Sequence, residues 1–180
     1  MTRVHAVAHI ARAAIAVVLL APVPAVPQDV TEPALKAAFI YNFAKFTVWP
    51  TDVLPPEGPL VMCVVGGAAV AEALARTVKD RELDGRRLAV SLMALAESQS
   101  TCHILYLSGV TSGEAARLVA RLRDLPVLTI SDIEGFTELG GIAEVFFEHG
   151  RLRFTVQPAA AKRIRLQISS RLLALSKPRG

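Results

Sequence analysis

The chain has 180 residues, a formal net charge of +4, and 52% of its residues are hydrophobic. By length it is one domain, large enough to bury a proper core without help. Setting aside Arg3 and Arg12, at an N-terminus without acids, leaves 18 bases against 16 acids, a net +2. Those bases are scattered except for Lys162, Arg163 and Arg165 on a solvated helix face, so the charge supports no nucleic-acid partner.

In chain order, Arg3 and Arg12 flank a short positive region, followed by the uncharged run 13–21 and by Val23-Pro-Ala25. That plan predicts a secretory signal peptide over 1–25. The run is short for a membrane span, which needs about 20 residues, although an uncleaved anchor is the alternative. Either way the rest of the chain faces an oxidising compartment, which argues against cytosolic ATP- or NADH-dependent roles. Residues 26–30 form a leader, 31–176 a domain and 177–180 a tail.

Thr31-Glu-Pro33 reads as a helix start. Leu35, Ala38, Phe39, Phe43 and Phe46 recur at helical spacing, and Trp49-Pro50 ends the helix. Asn42 falls in line with that face, where a buried amide would hold a loop or line a pocket. After a proline loop comes an apolar strand at 60–65. Gly66-Gly67 leads into a helix over about 68–79, and Asp84-Gly85 turns into a strand at 86–93. A strand at 102–107 precedes a helix opened by a Thr111–Glu114 capping box and ending near Asp124. A short strand at 126–130 leads to a loop over 131–141. Segments 142–148 and 151–156 read as a hairpin turning at His149-Gly150, and Pro158 starts a last helix carrying Ile164, Ile168, Leu172, Leu173 and Leu175. Strands alternating with helices predict a single-domain α/β fold: a mixed sheet with helices on both faces, ending in a β-hairpin and a C-terminal helix.

Cys63 and Cys102 each lie in an apolar strand. If those strands are neighbours, a disulfide forms; the alternative is two buried free thiols. No histidine pair completes a metal site. Gly66-Gly67 lacks the spacing of a nucleotide-binding loop, and no nucleophile, base and acid stand together, so the chain reads as a non-enzyme with no catalytic residue, cofactor or metal. Ser131-Asp132 follows a strand at its carboxyl end, where open α/β sheets bind ligands; the alternative is a local turn.

Taken in order, several segments resemble the YfiR/HmsC family of periplasmic proteins. They are 37–46 with Trp49-Pro50, Cys63-Val-Val-Gly66, Gly85-Arg86, Cys102-His-Ile-Leu-Tyr-Leu-Ser108, and Leu128-Thr-Ile-Ser-Asp132 with Gly135-Phe136. Gly140-Gly141, Arg153-Phe154 and Ile168-Ser-Ser-Arg-Leu-Leu173 complete the set. The resemblance implies a non-enzymatic periplasmic repressor. Its partner would be the periplasmic sensor region of a membrane-anchored diguanylate cyclase, and its output lower cyclic di-GMP and less biofilm. It also implies a homodimer, and Cys63 and Cys102 match one family cysteine pair. A second pair found in some relatives near 135–144 is absent, and Gln157 stands where the family has Asn. Phe39, Phe43, Phe46 and Trp49 are then either core or a partner-binding face. A second reading is a soluble sensor that binds a small ligand near Ser131, Asp132 and Asn42 and signals to a histidine kinase or another receptor.

Overall fold

A computed structural model describes residues 31–97 and 99–177. The expected signal segment 1–25, the leader 26–30 and nearly all of the expected tail 177–180 lie outside the described residues.

Helix α1 (Glu32–Lys45) starts with Pro33 in its first turn, where proline's missing N–H costs nothing. It leads into β1 (Thr47–Val48), then β2 (Leu60–Val65), α2 (Ala68–Val78), β3 (Glu82–Leu83), β4 (Arg86–Met93), β5 (Ile104–Leu107), α3 (Ser112–Leu122) and β6 (Leu128–Ser131). The chain continues with β7 (Ala143–Glu148), β8 (Arg151–Val156), α4 (Pro158–Arg163), β9 (Gln167–Ile168) and α5 (Ser170–Leu173). A seven-stranded sheet runs in the order β3-β4-β2-β5-β6-β7-β8. Its inner pairings are parallel, while β3 and β8 close the two ends antiparallel.

Both hairpins turn through two residues at positive φ: Asp84 (51°) with Gly85 (75°), and His149 (49°) with Gly150 (72°). That backbone twist matches the twist of the strands it joins. The Thr111–Glu114 capping box forms in both directions at the start of α3.

The central strands β2, β5 and β6 are buried on both faces because helices cover both, as the mixed α/β reading requires. On one side α1, α2 and the C-terminal segment pack on Met62, Val64, Ile104, Tyr106, Leu128 and Ile130. On the other, α3 and Phe136 pack on Cys63, Val65, Leu105 and Leu107. Gly141 is required in that second layer, because a Cβ there would stand 2.2 Å from the Phe136 ring.

Two expectations are corrected. The single helix after Pro158 is two short helices separated by β9, because Arg165 sits at φ 61°, outside the helical region. The freed segment pairs antiparallel with β1, Thr47 opposite Ile168 and Val48 opposite Gln167. Asn42 is exposed rather than buried. The buried face of α1 is Ala37, Ile40, Phe43 and Ala44, rotated from the expected one because apolar residues stand on more than one side of the helix and burial follows its fit to the sheet.

Candidate functional site

The switch point of a doubly wound sheet is the gap where successive strands leave a first strand on opposite sides. Here β2 is followed by β4 on one side and β5 on the other. The loops leaving the carboxyl ends of β2 and β5 touch there. Gly66 has φ 79°, and a Cβ on it would lie 1.9 Å from the Ser108 carbonyl oxygen. Backbone therefore meets backbone at the place where related architectures hold a ligand.

Beside that contact, Asp132 follows the last residue of β6. Its Oδ2 accepts from Lys36 Nζ (2.6 Å), Tyr106 Oη (2.9 Å) and Ser108 Oγ (2.9 Å). Lys36 also pairs with Glu32 at 2.5 Å, one turn back on α1. One carboxylate oxygen thus joins α1, β5 and the loop after β5. Burial opposes the Lys36 charge, but hydrogen bonds to Asp132 and Glu32 outweigh it and raise its pKa above the usual 10.5. Burial, then the Asp132 charge, pushes the Tyr106 phenol well above its usual 10, so it stays a donor. The preceding Ser131 is fully buried; its hydroxyl donates to the Leu107 carbonyl (2.7 Å) and accepts from Ile133 N–H (3.1 Å). That second bond is the local serine turn weighed as the alternative to a ligand role.

Of the expected site residues, Ser131 and Asp132 adjoin each other at the end of the sheet, and Asn42 stands apart on the exposed side of α1. Phe43 is 1% exposed and meets Phe154 of β8 edge to face at 5.3 Å; Phe39 meets the same ring at 5.8 Å. Trp49 is buried as well. Phe43 and Trp49 belong to the core, and Phe39 and Phe46 are partly buried against it, so the aromatic face packs inward. Lys36, Tyr106 and Ser108 were not singled out from the sequence, because each lies on a different segment and no fixed spacing links them.

A second polar joint lies at the opposite end of β5. His103 Nδ1 accepts the Val61 N–H at 3.0 Å, while His103 N–H donates to the Val61 carbonyl at 2.9 Å. The imidazole takes the place of a ladder acceptor, which is why β5 begins at Ile104 rather than Cys102. An accepting Nδ1 requires the neutral ring with its proton on Nε2. Burial, opposed by the Val53 backbone and reinforced by the Arg86 charge, holds the His103 pKa below its usual 6.5. Next to it, Cys63 and Cys102 are joined in a disulfide with a Cα separation of 5.8 Å. The neighbouring-strand condition for that bond is met by the parallel pairing of β2 with β5.

Among the described residues no group of three or more His, Cys, Asp or Glu side chains is arranged to hold a metal ion. No helix there is long and apolar enough to cross a membrane. A search of curated proteins finds no match to the chain. The profile of a family described as YfiR/HmsC-like, however, matches residues 33–177, from the first turn of α1 to the last described residue. With that match covering the whole described domain, the chain belongs to the YfiR/HmsC-like family.

Proposed function

We propose that this protein represses a membrane-anchored diguanylate cyclase by binding the cyclase's periplasmic sensor region. The family is a regulatory, non-catalytic one of the periplasm, tied to the diguanylate cyclase pathway. The observation that carries the reading is the family match over residues 33–177, joined to an N-terminal segment with the plan of a secretory signal. The touching loops at Gly66 and Ser108 and the three donors on Asp132 Oδ2 agree with it. They fill with the protein's own groups the position where a substrate would sit in an enzyme of this architecture.

A binding protein regulates by preferring one conformation of its partner. Driving a cyclase from 99% active to 99% inactive takes about 5.5 kcal/mol of differential affinity. An interface of ordinary size is ample for that. With the aromatic side of α1 packed inward, the contact is made by other surfaces of the domain.

The test is intracellular cyclic di-GMP in cells with and without the gene. Deletion raises it, and the full chain restores it while a form lacking residues 1–25 does not. An unchanged level on deletion overturns the repressor reading and favours a small-ligand sensor coupled to a histidine kinase.

A further inference from the structure

Buried polar side chains nearly always find a hydrogen-bond partner. Thr47 and Trp49 are each only 6% exposed, yet among the described residues neither Thr47 Oγ1 nor Trp49 Nε1 has one. The two residues stand two apart where the chain runs extended through β1, with exposed Val48 between them, so they turn to the same side. Both line one cavity of about 70 Å³, set between the end of α1, the loop after β1 and the β3–β4 turn. Ala44, Leu54 and Leu60 give it apolar walls, and Arg86 lines it from the side of the turn. It shares no residue with the Asp132 cluster.

The donor set fixes the chemistry of an occupant. An indole N–H donates and cannot accept, and a threonine hydroxyl donates as readily as it accepts. Arg86 donates to the Pro55 carbonyl, and a guanidinium carries further N–H donors besides that one. The occupant is therefore an acceptor, beside a positive charge. Asp84 also lines the cavity, but it is exposed at the tip of the turn, where water weakens its field, whereas Arg86 is half-buried. The space equals that of about two waters at about 30 Å³ each, so the occupant is small. Water would satisfy the polar side and leave its remaining hydrogens against Ala44, Leu54 and Leu60. A molecule with a charged acceptor at one end and carbon at the other matches both sides.

We propose that this cavity binds a short aliphatic carboxylate of the size of acetate or propionate. Its oxygens accept from the Thr47 hydroxyl and the Trp49 N–H beside the Arg86 guanidinium, and its alkyl end lies against Ala44, Leu54 and Leu60. The ligand supplies the acceptor that the described fold does not. It also bridges the end of α1, the loop after β1 and the β3–β4 turn. The site does not depend on the cyclase reading, and its test uses the protein without any partner.

Trp49 is the chain's single tryptophan, so its fluorescence reports on the cavity directly. The experiment titrates the exported, purified chain with sodium acetate and sodium propionate at constant ionic strength, with sodium chloride and acetamide as controls. The expected result is a saturable change in tryptophan emission, with a midpoint between about 0.1 and 10 mM for a carboxylate. Acetamide, which has the shape of acetate without its charge, should bind at least about tenfold more weakly. Thr47→Val keeps the shape of the side chain and removes the hydroxyl. It should weaken carboxylate binding at least about fivefold, and it should not lower the thermal midpoint of the free protein, because the lost hydroxyl has no partner in the described fold. Propionate should raise that midpoint in the natural chain by mass action, and raise it less in the variant. The absence of any response to either carboxylate assigns the cavity to water alone and overturns the proposal. A response that does not saturate, equal binding of acetamide, or a Thr47→Val protein that binds propionate as tightly as the natural chain overturns it as well.

Discussion

Asp132 and His103 tie the two ends of β5 to their surroundings by different means. Asp132 holds Lys36 with side chains only 19% and 11% exposed, so the pair is poorly hydrated and each partner depends on the other. Replacing Asp132 with Asn keeps the shape and removes the charge. The expected loss is about 1–3 kcal/mol in urea unfolding. Adding Lys36→Met should cost less than the sum of the two single changes, because it removes the charge left without its partner. An additive double variant would mean that the ion pair contributes nothing. His103 gives a pH dependence of definite sign. Its folded pKa lies below the unfolded 6.5, so the unfolded chain takes up the proton first. Its contribution is complete above pH 6.5 and is lost as the pH falls from there toward the folded value. The melting temperature should decline over that interval, and His103→Gln should flatten the decline.

Among the elements, those with a local cause were legible in the sequence. Asp84-Gly85 and His149-Gly150 announce turns because asparagine-like and glycine residues tolerate positive φ, and Thr111 with Glu114 caps its own helix. The strand β2 is a bare apolar run, as a strand buried on both faces must be. The pairing of β1 with β9 was not legible. Each strand is two residues long, the pair is set by contacts between distant parts of the chain, and the bend that permits it rests on an arginine at positive φ. At the site, the position of Ser131 and Asp132 at a strand end was readable, whereas the donors converging on Asp132 depend on how α1 docks. The burial of α1 was misjudged by a fraction of a turn because a helix with apolar residues on more than one side does not mark its inner side. The disulfide belongs to this scale, since it fastens β2 to the residues just before β5 across a sequence separation of 39. Chain entropy for a loop of that length gives about 4 kcal/mol. Cys63→Ser should therefore lower the melting temperature by roughly 5–15 °C. An unchanged midpoint would deny the bridge a structural role.

Over the whole molecule, the parallel centre of the sheet is shielded by helices, one end is closed by the β7–β8 hairpin, and among the described residues no strand lies along the outer side of β4 beyond Arg87. The same domain thus has a sealed crevice at its switch point and an open edge at its margin, the inverse of what a small-molecule enzyme needs. That division suits a protein that works by contact. The Cys63–Cys102 bond also makes the stretch between those residues, with α2, β3 and β4 inside it, a closed covalent ring. A protease that cuts once anywhere in the ring leaves a single covalent molecule, which separates into fragments only after reduction. A cut outside the ring releases a fragment as soon as the fold is denatured.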